Sequence, residues 1–173
     1  MRALIVTAAC LVVLGSLGCT PTFNWREVPI AQTPLTALFP CKPETASRAV
    51  TMAGLETQLH LAHCETGGVT AAVGHARIAD AALVPSALEH WRNATLAGMR
   101  VTATVPSGPT GATAVALPGA LSVDASGTTA DGKPLKLKAI WFARDGVVYS
   151  ALWYGGGWTA DAVEPFFTGI RFR

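Results

Sequence analysis

Charge is scarce in this chain. Only 14% of its 173 residues are Asp, Glu, Lys or Arg, and the 13 cations nearly balance the 11 anions. No basic block of the kind that tracks phosphates occurs, which argues against a nucleic-acid partner. Catalytic signatures are equally sparse. There is no Gly-x-Ser-x-Gly elbow, spacing assembles no activated nucleophile or acid/base constellation, and Gly155-Gly156-Gly157 lacks the Lys and Ser/Thr of a phosphate loop. The expectation is therefore a protein that is not an enzyme and carries no cofactor. An unrecognised hydrolase remains the most distant alternative. Long apolar runs are missing too: the longest, Ala3 to Leu14, is too short to span a bilayer comfortably as a helix.

That run nevertheless has an address written around it. Arg2 precedes it, and Ser16-Leu17-Gly18-Cys19 follows, so residues 1–18 have the charged, apolar and cleavage regions of a secretory signal. The end of this leader resembles the lipobox of bacterial lipoproteins, in which Leu, a small residue and Gly or Ala precede the lipidated Cys. Gly18 and Cys19 fit that pattern. Ser16 stands where Leu is usual, and Leu17 where a small residue is usual. Ser16 and Gly18 also obey the small-x-small rule of ordinary signal cleavage, so a secreted chain without lipid is the competing reading, followed by a retained anchor. The expectation is a lipoprotein with its lipid on Cys19, membrane-bound through that lipid on the periplasmic side of the envelope. Thr20 is not the Asp that resembles an inner-membrane retention signal, which favours the outer membrane.

Only four cysteines are present, Cys10, Cys19, Cys41 and Cys64. Removal of the leader takes Cys10, and acylation takes Cys19. Cys41 and Cys64 then form an even pair, expected as one disulfide in an oxidising compartment.

About 155 residues remain after the leader, enough for one domain with one core. Ala, Gly, Thr and Val are abundant, a sheet-like rather than bundle-like composition. Residues 19–34, with Pro21, Pro29 and Pro34, read as a tether in which Trp25 can dock on the body. A single domain over 35–173 follows. Leu35 to Pro40 is a short strand, and Ala46 to Met52 and Leu55 to Glu65 form a hairpin around Ala53-Gly54. In its second strand Leu55, Leu59 and Leu61 alternate with Glu56, Gln58 and His60, giving one buried and one wet face. Thr66-Gly67-Gly68 leads into a strand from Val69 to Ala79.

The period then changes to that of a helix, with Pro85 in its first turn and Leu88, Trp91, Thr95 and Met99 on one face. Val101 to Pro118 reads as a loop with a short strand at its end. Strands over Ala120 to Thr129, Leu135 to Arg144 and Val147 to Gly155 follow, joined at Asp131-Gly132 and Asp145-Gly146. A two-residue turn in the last hairpin would oppose Phe142 to Tyr149, and a three-residue turn would oppose Trp141 to Tyr149. Thr159 is expected to cap a short helix carrying Val163, Phe166, Phe167 and Ile170, kinked or restarted at Pro165.

The short strand ending Phe39-Pro40-Cys41-Lys42-Pro43, the meander, the long helix, Val148-Tyr149-Ser150-Ala151 and the closing Phe166-Phe167-Thr168-Gly169-Ile170-Arg171-Phe172 resemble small secreted bacterial proteins of the PsbP-like fold. The resemblance covers most of residues 35–173. It implies an α+β architecture, an antiparallel sheet of about six strands with one long helix and a short C-terminal helix packed on it. It supplies no catalytic residues.

Two groups remain as candidate sites. A two-residue Gly67-Gly68 turn places His60 across from His75, but two imidazoles fall short of a zinc set, so the expectation is polar residues on a wet face and no metal. The aromatics Trp141, Tyr149, Trp153 and Tyr154, with Lys138, are a possible ligand surface beside Lys136, Phe142 and Trp158. Core packing is the expected reading, because helices on both faces bury both sets. The function these features imply is a non-catalytic binding or accessory and assembly module with an envelope protein as partner. A small-ligand carrier using an aromatic cleft near Trp141 and Trp153 is the alternative.

Overall fold

Turn dipeptides set the main sheet. Ala53 and Gly54 take positive φ, 50° and 82°, so β3 (Glu44–Met52) folds directly onto β4 (Leu55–Thr66) with Met52 opposite Leu55. Asp145 and Gly146, at 53° and 73°, do the same for β8 (Pro134–Arg144) and β9 (Val147–Gly155). This selects the two-residue turn: Phe142 faces Tyr149, and their rings stack at 5.1 Å. The computed structural model describes residues 22–106 and 119–173. The leader and Cys19 lie outside the described residues.

With β5 (Val69–Arg77), β6 (Ala103–Pro106) and β7 (Leu121–Thr128), the main sheet has seven strands among the described residues, in the order β3-β4-β5-β9-β8-β7-β6 with each pairing antiparallel. A second sheet, β1-β2-β10, is built from β1 (Arg26–Pro29), β2 (Leu35–Phe39) and β10 (Arg171–Phe172). The helix α1 (Val84–Gly98) has Pro in its first turn as expected, and α2 (Ala160–Thr168) continues through Pro165. The α+β class and the antiparallel sheet are thus as expected, while the strand count exceeds six.

Three layers result. On one face Ala87, Leu88 and Trp91 of α1 pack on Leu59, Ala76, Leu137, Ala139, Trp141 and Val148. The other face carries the small sheet and α2, with Leu35, Ala37, Phe39, Val163 and Phe166 on Val73, Ile140, Tyr149, Ala151 and Trp153. Covered on both sides, β5 is buried at every position but Arg77, and β9 is buried along most of its length. Apolar area removed from water at about 25 cal/mol per Å2 is the main stabilising term in such a core.

Three expectations need correction. Residues 22–34 are not a free tether: β1 pairs with β2, and Phe23 and Trp25 pack on Trp153 with ring centroids 5.8 and 6.2 Å apart. Pro29 and Pro34 are compatible with this because β1 is an edge strand and Pro34 precedes β2. The 101–118 stretch carries a strand, β6, near its start where a loop was expected, and the strand expected at its end falls on residues 107–118, outside the described residues. Thr159 occupies the N-cap position of α2 in extended backbone, but its hydroxyl makes no capping bond.

Candidate functional site

The disulfide forms between the expected partners. Cys41 follows the end of β2 and Cys64 lies on β4, with Cα atoms 5.9 Å apart, so the bridge ties the small sheet to the main one.

The five residues of the possible ligand surface do not share one face, in keeping with the core packing expected of them. Along β9, Tyr149 and Trp153 point into the layer under α2 and the small sheet. Tyr154 points to the α1 face, as does Trp141 of β8. Trp141 and Trp153 are both 0% exposed, and Tyr149 is buried as well. Lys138 lies opposite Trp153 in the register, where its ammonium pairs with Asp124 at 3.2 Å and sits 5.9 Å from the Phe167 ring. Alternation sends the set to opposite sides, and a helix closes each side. Core packing wins.

Next to Lys138 there is nonetheless a hollow of about 340 Å3. Its walls include Asp124, Lys136, Lys138, Trp158, Val163 and Val105. Lys136 holds its ammonium 5.9 Å from the Trp158 ring, the indole N–H of Trp158 is buried without a partner, and Val105 is 66% exposed. Chemically this is an apolar floor with two cations and one carboxylate at its rim. Trp158 and Lys136 were legible as neighbours of the aromatic group, but Val105, on β6, was not.

His60 and His75 are opposite one another as the turn requires, with rings stacked at 4.8 Å and an interplanar angle of 13°. The wet-face expectation fails for His75, which is only 6% exposed. The loop between β1 and β2 covers it, and Ile30 and Ala31 help line one hollow of about 250 Å3 at the pair, while Gln32 helps line another of about 350 Å3. Burial first, then His60, lowers the His75 pKa to about 4, against a hydrogen bond to the Ala31 backbone that favours the protonated ring. Tyr149, 6.3 Å away, has its phenol pushed up by the same burial and bonds to Thr33. Among the described residues, no three His, Cys, Asp or Glu gather where they could hold a metal.

No family model matches the chain, and no curated protein matches it. Among solved structures, a crystal structure of a Pseudomonas aeruginosa protein of unknown function is similar at 12% identity, covering 84% of this chain and 92% of that one with a TM-score of 0.37. Among the described residues, no helix is long and apolar enough to cross a membrane.

Proposed function

We propose that this chain is an exported, lipid-anchored envelope domain of PsbP-like fold that acts by binding, as an accessory or assembly factor on the periplasmic side, with the outer membrane as its favoured site. The observation that carries this reading is the Cys41–Cys64 bridge, which accounts for both cysteines of the folded body and leaves Cys19 as the odd one directly behind the leader. A non-catalytic role is supported by how the polar groups are spent. His75 is neutral and bonded to backbone, His60 stacks on it, and the body's thiols are oxidised. Crosslinking in intact cells followed by purification under denaturing conditions tests the reading. A protein partner joined at one reproducible surface is expected, and recovery of a retained small molecule with no crosslinked protein would overturn it.

A second reading, the small-ligand carrier, is favoured by the hollow at Lys136, Lys138 and Trp158. Its composition suits an anionic amphiphile, with apolar and aromatic wall below and ammonium groups at the rim. Native mass spectrometry of the purified protein separates the two: a bound species lost in Trp158→Ala supports the carrier, and a ligand-free mass in both proteins supports the binding module.

A further inference from the structure

Thr22 does not sit on a free arm. Its carbonyl accepts a hydrogen bond from the Thr66 hydroxyl at 2.8 Å, and its methyl lies 2.6 Å from where a Cβ on Gly67 would be. Phe23 then packs edge-on to Trp153, and the Asn24 N–H donates to the Pro40 carbonyl at 2.8 Å. The chain thus enters the fold at the turn between β4 and β5. Only Thr20 and Pro21 lie between Thr22 and the lipid-bearing Cys19, and three residue steps reach at most about 10 Å. Such a link is too short to hold the domain away from a membrane.

We propose that the end of the main sheet bearing the Thr66–Gly68 turn lies against the headgroup layer that Cys19 enters, and that Lys42, Arg100, Lys133 and Lys136 there bind anionic phospholipid headgroups. The proposal rests on the lipid-anchored reading above. The membership of this end follows from the register. β4 finishes there, β9 finishes at Gly155 opposite Val69, β8 starts at Pro134, and β7 finishes at Thr128. The end of α1 joins them, since the Met99 carbonyl would touch a Cβ on Gly127 and Arg100 donates to the Ala130 carbonyl at 3.4 Å.

All four cations are exposed. Arg26, opposite Phe39, is a further exposed cation at this end. The acids there are Glu44, Glu65, Asp131 and Asp161, the last in the first turn of α2, and Asp131 pairs with Lys133 at 2.7 Å on open surface. The far end, around the Ala53-Gly54 and Asp145-Gly146 turns, holds Arg77, Arg144 and Arg173 against Glu56, Asp80 and Asp145. A small cationic excess therefore faces the anchor. At physiological salt the Debye length is about 8 Å, comparable with the reach of the link, so these charges sense the lipid surface.

Hydrogen exchange on the full lipidated chain tests this, compared among detergent, phosphatidylcholine vesicles and vesicles with added phosphatidylglycerol. Intact mass is measured first. An unmodified Cys19 overturns the anchored reading and the docking with it, whereas an acylated Cys19 isolates the docking question. The expected result is several-fold slower exchange at residues 66–69 and 129–134 on phosphatidylglycerol vesicles, with the 53–54 and 145–146 turns unchanged. Paired Lys133→Gln and Lys136→Gln, or Arg100→Gln alone, should reduce that slowing without altering exchange in β5 and β9. With acylated protein, equal exchange at the two ends, or slowing at the far end, overturns the orientation. Slowing that is the same on neutral vesicles overturns the headgroup assignment.

Discussion

Lowering the pH should destabilise this domain through one histidine before its carboxylates matter. His75 in the native state has its pKa lowered to about 4 from the ordinary 6.5, because it is buried under the β1–β2 loop and faces His60, with Arg77 as a weaker contribution of the same sign. The native ring therefore refuses a proton that the unfolded ring accepts. Nothing is lost above the unfolded pKa. As pH falls through 6.5 the unfolded state is progressively favoured, and the loss is complete near the native value. Between about pH 7.5 and pH 5 the two titration curves differ by about 2 kcal/mol, and Asp and Glu contribute little in that interval. Urea denaturation followed by tryptophan fluorescence reads this as a midpoint drop of about 1 M for a domain of this size. His75→Gln starts from lower stability, since packing on His60 is lost, but should have a nearly flat midpoint over the same interval. A wild-type midpoint that does not move, or a variant that falls in parallel with it, would refute the assignment.

Four further outcomes are expected. Replacing Cys41 and Cys64 by Ala should cost about 3 kcal/mol, since the bridge spans a sequence separation of 23, and thermal unfolding with and without reductant checks it. Trp25→Ala should cost about 2 kcal/mol in chemical denaturation because its ring stacks on Trp153; a true tether residue would cost nothing measurable. Trp153→Ala should cost about 3 to 5 kcal/mol, as expected for a fully buried indole packed against Trp25, Phe23 and Phe166. Gly155→Ala should destabilise by at least about 2 kcal/mol, because φ is 143° there and a Cβ would collide with the Gly68 carbonyl; an unchanged melting temperature would contradict the tight contact between β9 and the β4–β5 turn.

The main sheet was legible where local chemistry decides structure. Ala53-Gly54, Gly67-Gly68 and Asp145-Gly146 each fix a two-residue turn, and once a turn is fixed the placement of Leu55 and Leu59 settles which face of β4 meets α1. The second sheet was legible only in part: β2 could be read as a short strand from Leu35, but β1 just before it was masked by Pro29 and Pro34, and β10 lies at the far end of the chain. β10 has two residues, and it pairs with β2 through Arg171 opposite Thr36. Arg171 also pairs with Glu27 on β1, a contact 144 positions distant that no local pattern encodes. Within residues 22–34 the docking of Trp25 was readable, but the prolines made the rest read as linker and hid both β1 and the packing of Phe23 on Trp153.

Core packing of the aromatic group was as expected, whereas the wet-face expectation failed for His75, and both outcomes have one cause. Whether a side chain on a strand serves as core or as surface depends on what covers the face, and here the covering comes from distant segments. Trp141 and Trp153 were weighed together because they lie on adjacent strands, yet an even step from Trp141 to Trp153 across the register does not exist: Trp141 faces Ser150, while Trp153 faces Lys138. That parity alone puts them on opposite sides of the sheet. It became decidable only when the Asp145-Gly146 turn was known to hold two residues rather than three. His75 shows the converse. Its pairing with His60 was readable from Gly67-Gly68, but its burial depends on Ile30 and Ala31, and with that burial a histidine on an expected wet face becomes a neutral internal group.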